Sequence, residues 1–204
     1  MNRIKSTTVA VCLAAALTFS FAIAQQPKDP KEPAAPAAPA APAAPAEQEP
    51  IVTKMRVQDY KAEQYFYTAT ETTINQMTGV VQDTLPKLFA AIKENNVDVT
   101  GPMIFVYHGA TQDRDKPFQL EIGFAVAPAT KEAGEFKSRE LEAFHCASVI
   151  YSGPIMQVGM AYQGLFTELL GAGLQPTGET REMYLYWEAP DSPNNVQVIM
   201  AGVN

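Results

Sequence analysis

The sequence is poor in cysteine, histidine and tryptophan, and it carries fewer cations than anions. Of the two cysteines, Cys12 falls in an N-terminal apolar stretch and Cys146 stands alone in the remainder. Once that stretch is removed no internal disulfide is possible, and the strand-like residues around Cys146 point to a buried thiol. Lys and Arg together number 15 against 22 Asp and Glu; loss of Arg3 and Lys5 with the leader described below leaves 13 against 22, a net −9. With an acidic balance, no basic patch and no helix-turn-helix segment, neither nucleic acid as a partner nor transcriptional control is expected. Three further motifs are missing: a Gly-x-Ser-x-Gly elbow, zinc-type Cys/His spacing and a phosphate loop. No metal or cofactor is expected. Asp113, Asp115 and Glu121 place carboxylates around one loop but lack the ligand spacing of a calcium site, so they read as solvated.

What is present divides the chain in three. Residues 1–24 carry Arg3 and Lys5, then an uncharged apolar run from Val9 that ends in Ala22-Ile23-Ala24. This is the pattern of a cleaved secretory signal, with a retained anchor as the alternative, and it places the protein in the periplasm or outside the cell. Residues 25–50 are dominated by Pro-Ala-Ala repeats from Pro33 to Pro45, which favour polyproline II. Fully extended at about 3.1 Å per residue, this tether spans ~80 Å. Residues 51–204 are long enough for one domain with a substantial core. No membrane insertion is expected after cleavage, and the oligomeric state is left open.

Within the domain, Tyr60 to Glu71 has a strand-type composition. Helical spacing follows at Ile74, Met77, Val81, Leu85, Leu88, Phe89 and Ile92, and Pro86 within it predicts a kink or two pieces. Strands are predicted at Met103 to Tyr107 and Phe118 to Val126. A second set follows in the same order: a strand at Phe144 to Tyr151, a helix from Ser152-Gly153-Pro154 to about Leu170, and strands at Arg181 to Trp187 and Asn195 to Ala201. The expected fold class is α+β, a duplicated strand-helix-strand-strand unit whose antiparallel sheet is backed by two main helices, with an open groove on the other face.

Val97-Asp98-Val99-Thr100-Gly101 and Leu174-Gln175-Pro176-Thr177-Gly178 lie 77 positions apart. Carried forward, that offset sets Tyr107 against Tyr184 and Phe105 against Glu182. Strand alternation puts Glu182 and Tyr184 on one face, and by the repeat that face also holds Phe105 and Tyr107. A carboxylate among aromatic rings attracts a cation by charge and by cation–π contact; with a raised pKa it is a general base. The competing reading is a solvated face on which Glu182 pairs with Arg181 or a lysine. Tyr67, or Tyr65, and Tyr151 are further candidates for the wall of such a site, while Tyr162, Phe166 and Trp187 read as core or groove wall.

Gly101-Pro102, Val106-Tyr107-His108-Gly109 and Phe118 to Val126, followed by Tyr151-Ser152-Gly153-Pro154, Leu165 to Leu170, Pro176-Thr177-Gly178 and Glu182-Met183-Tyr184, resemble in order and spacing the GyrI-like small-molecule-binding domain. The resemblance implies two helices on an antiparallel sheet, a pseudo-twofold, an aromatic groove, and a ligand-binding glutamate that falls on Glu182 with Tyr184 beside it. Some members of that family are hydrolases that use a Glu and Tyr pair. A more distant likeness to the heme-binding SOUL proteins would make axial ligands of His108 or His145, which otherwise read as ordinary packed or surface histidines.

Three functions are therefore carried forward. The first is an exported binding protein that captures a small hydrophobic or cationic molecule. The second is a hydrolase in which Glu182 and Tyr184 are catalytic. The third is a structural or partner-binding envelope protein, which a solvent-facing Glu182 would favour.

Overall fold

The computed structural model describes residues 48–204, so the expected signal and nearly all of the tether lie outside the described residues. The elements, in chain order, are β1 (Ile51–Val52), β2 (Arg56–Tyr60), β3 (Glu63–Thr72), α1 (Met77–Glu94), β4 (Val99–His108), β5 (Phe118–Val126), β6 (Lys137–Leu141) and β7 (Phe144–Ser152). A single 3-10 turn, Ile155–Gln157, leads into α2 (Gly159–Gly171), followed by β8 (Pro176–Tyr186) and β9 (Val196–Val203). All strand pairs are antiparallel, in the order β1-β7-β9-β8-β4-β5-β3-β6, and β2 also pairs with β7. The α+β class, with two helices on an open antiparallel sheet, is as the sequence leads one to expect.

Pro86 does not divide the first helix. It is exposed, as is Gln82 one turn earlier, whose carbonyl loses its partner because proline has no N–H; water can satisfy that oxygen. Leu88 and Ala91 are buried and Ile74, Met77, Val80, Val81, Leu85 and Ile92 pack alongside, which seats α1 over β3 and β5. On α2 the stripe Ala161, Leu165 and Leu169 repeats every four residues and seats that helix over β7 and β9. The central pair β4–β8 lies between the two helices.

The face away from the helices differs from the expectation of an open groove. It is filled by Tyr65, Ile104, Val106, Cys146 and Met200, each no more than 1% exposed, together with Met183 and Val198. The two-residue link Glu142–Ala143 joins β6, at one end of the sheet, to β7 near the other, so the sheet curls around its own side chains. Arg181 closes this side: its guanidinium lies 3.9 Å from the centre of the Phe144 ring and donates to the Glu142 carbonyl at 3.1 Å.

Candidate functional site

Strand alternation correctly groups Glu182, Tyr184, Phe105 and Tyr107, but the face they share is the one beneath the helices. Phe105 and Tyr107 belong to the cluster under α1, and Glu182 is reached from α2 by Tyr162. The sheet is apolar on both faces, so alternation sets parity without saying which parity the helices cover.

Phe105 and Glu182 face one another as direct cross-strand partners at the junction of β4 with β8. Glu182 is 3% exposed, and its carboxylate is enclosed by three phenols. Tyr107 and Tyr184 donate to Oε2 at 2.9 and 2.6 Å, and Tyr162 donates to Oε1 at 2.6 Å. Such charge-assisted bonds each contribute roughly 1.5–3 kcal/mol, which offsets part of the cost of burying the charge. Among the described residues no basic side chain pairs with Glu182. Arg181, its neighbour in sequence, points to the opposite face and pairs with Glu179 at 2.7 Å, which excludes the solvated Glu182–Arg181 reading. Burial first, and the Glu182 charge second, hold the Tyr107, Tyr162 and Tyr184 phenols well above the ordinary tyrosine range, so all three remain donors at neutral pH.

The aromatic wall is continuous. The Phe105 and Tyr184 rings lie 4.9 Å apart, Tyr184 meets Trp187 edge-on at 6.0 Å, and Tyr107 meets Phe118 at 5.9 Å. Trp187, Tyr186, Met156 and Met160 are exposed apolar side chains on β8, at its end and around the start of α2. A cavity of about 370 Å³ lined by Lys87, Glu94, Gly134 and Phe136 lies instead at the far end of α1 and shares no group with the Glu182 cluster.

The other candidates separate. Tyr67 lies on the helix-free face, stacked on Tyr65 at 5.0 Å with the Arg139 guanidinium 5.0 Å from its ring centre, and so does not line the Glu182 site. Tyr151 is on the helix face, but β9 separates its strand from β8 and its hydroxyl donates to the Pro154 carbonyl at 2.6 Å. His108 sits 3.5 Å from both Glu121 and Glu179, and His145 sits 2.7 Å from Asp59. Glu121 is held by Arg139 at 2.6 Å, while Asp113 and Asp115 accept bonds within their own loop and from Asn75. Burial pushes the Cys146 thiol up to about 12, consistent with an unreactive core residue.

Tyr162, read from the sequence as core or groove wall, stands beside the buried stripe of α2 and reaches the carboxylate; Gln197, 2% exposed on β9 and the cross-strand partner of Tyr184, escapes the sequence reading. The signal was present: the offset that opposes Glu182 to Phe105 also opposes Tyr162 to Leu85 and Gln197 to Leu120. At all three positions the second half is polar where the first is apolar.

An open antiparallel sheet with two helices, and a buried acid among rings beneath them, defines a mixed α+β domain. The model of the GyrI-like small molecule binding domain matches residues 53–200, and the chain belongs to that family. Among solved structures it is similar to the EcmrR C-terminal domain (TM-score 0.64, 18% identity, covering 74% of this chain and 97% of that one). It is also similar to SAV2435 bound to tetraphenylphosphonium (TM-score 0.56, 8% identity, 74% and 94% covered). A third is a hydrolase from Listeria innocua (TM-score 0.52, 13% identity, 74% and 92% covered). At these identities the likeness is one of fold. Among curated proteins no sequence matches.

Proposed function

We propose that this protein is an exported, tethered binding domain that captures a small hydrophobic cation, with Glu182 supplying the charge and Phe105, Tyr107, Tyr162 and Tyr184 supplying ring surface. The observation that carries this reading is a carboxylate 3% exposed with three hydroxyl donors and no cationic partner among the described residues. Buried acids are ordinarily paired with a base, so an unpaired one between rings is suited to a cation brought from outside. Burial of Glu182 also speaks against the structural envelope reading. Tetraphenylphosphonium in a neighbour of the same fold is a ligand of this chemistry. Binding is favoured over turnover because all three phenol protons are engaged by Glu182, leaving none to polarise a substrate.

Export rests on residues 1–24 and reach on residues 25–50, and we read the two halves as copies of one unit. In support of the last point, α1 and α2 end 77 positions apart, and β4 and β8 begin 77 apart.

Calorimetric titration with tetraphenylphosphonium tests the proposal, with neutral triphenylphosphine oxide as control. Saturable binding of the cation alone is expected. In Glu182→Gln affinity should fall roughly thirtyfold, about 2 kcal/mol, with the circular dichroism spectrum retained. Absence of binding to the wild type, or equal affinity in a folded Glu182→Gln variant, would overturn it.

A further inference from the structure

Among the described residues, every buried side-chain nitrogen or oxygen has a hydrogen-bond partner except Nε2 of Gln197. The residue is 2% exposed, and its direction follows from its neighbours on β9. Val198 and Met200 belong to the helix-free face, whereas Ile199 and Ala201 lie in the cluster under α2. Alternation therefore places Gln197 beneath the helices, on the Glu182 side. It pairs with Tyr184 on one flank and Tyr151 on the other.

A buried amide donor without an acceptor is a standing cost to the folded state, and native proteins carry few of them. The nearby hydroxyls do not relieve it: those of Tyr107, Tyr162 and Tyr184 turn to Glu182 and that of Tyr151 to Pro154, and none accepts from the amide. Ile199 is the partner of Glu182, and Gln197 stands two residues further along β9. That diagonal relation separates the backbones of Glu182 and Gln197 by roughly 7–8 Å. One face thus offers an anion and, a short distance away, an unused donor.

We propose that Gln197 is a second polar anchor of the ligand site, and that the ligand is a hydrophobic cation bearing an uncharged hydrogen-bond acceptor, such as a carbonyl or ether oxygen, set apart from its charge. This rests on the reading of Glu182 as the cation site and adds a selectivity that charge and rings alone do not provide. A plain aryl cation satisfies Glu182 and leaves the amide unpaired. A cation with a placed acceptor satisfies both.

The test compares tetraphenylphosphonium with its 4-(methoxycarbonyl)phenyl analogue on the wild type and on Gln197→Met, which keeps side-chain length and removes the amide. The wild type should bind the ester probe about fivefold more tightly than the plain cation. In Gln197→Met that preference should vanish, read as the ratio of the two affinities within the variant. The melting temperature of unliganded Gln197→Met should hold or rise, because an unpaired polar group has been removed. The inference is overturned if the ester gains nothing over the plain cation on the wild type, or if its advantage survives in Gln197→Met. It is also overturned if the variant melts several degrees lower, which would show the amide to be satisfied without ligand. Failure of both cations to bind the wild type would overturn the Glu182 reading and this one together. Glu182-dependent binding without an ester preference would overturn this one alone.

Discussion

Phe105 and Glu182 face each other across the β4–β8 junction and are also the pair that a 77-residue offset in the sequence aligns. The same two residues are thus related by hydrogen-bonded register and by position in the two halves. If the halves are read as copies, as proposed above, the twofold relating them passes between these two residues, and the counterpart of the carboxylate is the ring it faces.

Phe105→Glu places a second carboxylate opposite the first in the same buried setting. Two like charges there should destabilise the domain by about 3 kcal/mol or more at neutral pH. Urea denaturation checks this, with Phe105→Gln as the uncharged control of the same size; equal losses in the two variants would point to lost ring packing instead.

Tyr162→Phe removes the one hydroxyl that reaches Oε1 of Glu182. A loss of about 1.5–3 kcal/mol is expected, since the acceptor is charged and buried. Tyr186→Phe is the control: its hydroxyl meets Glu188 at the surface, and its loss should leave stability essentially unchanged. Equal effects in the two variants would argue against the buried cluster.

Tyr65, Tyr107, Tyr162 and Tyr184 all have phenol pKa values raised well above the ordinary range, chiefly by burial. A group raised in the folded state stabilises fully below its unfolded pKa and loses that contribution as pH rises toward the folded one. Stability should therefore hold up to about pH 10 and fall beyond it. Tyrosinate absorbance near 295 nm should develop for these residues together with unfolding, in one cooperative step.

Gly123→Ala tests the curled side of the sheet. A Cβ there would stand 2.6 Å from Tyr67 Cβ and 2.8 Å from the Tyr65 ring, and would also meet the Phe66 carbonyl oxygen. Backbone and stacked rings block escape, so a loss of about 3 kcal/mol or more is expected by chemical denaturation. Gly164→Ala on α2 has open space and should be neutral or stabilising.

Periodicity made the helices legible, and the run Phe118 to Val126 has the same bounds in sequence and structure because a proline lies just beyond each end, Pro117 and Pro128. Parity was legible for β8, where Glu182 alternates with Arg181 and Met183. The covered face was not, since Ile104 and Val106 are as apolar as Phe105 and Tyr107. Tyr67 followed from the same ambiguity in β3, where Tyr65, Phe66 and Tyr67 are all large and all buried. The strand β6 escaped because Lys-Ser-Arg-Glu-Leu is an edge, and edge strands carry charge in place of alternation. Tyr162 required knowing which flank of α2 overlooks β8.

The short Glu142–Ala143 link, by drawing the sheet around Tyr65, Ile104, Val106 and Met200, divides the domain into a stiff part and a compliant one. Backbone amides of β4, β8 and β9, paired on both sides and packed on both faces, should exchange with solvent only through global opening. The 3-10 turn at Ile155–Gln157 has no buried residue and leads straight into α2, which carries Tyr162. A ligand held at Glu182 as proposed would rest on a floor of strands that opens only with the domain as a whole.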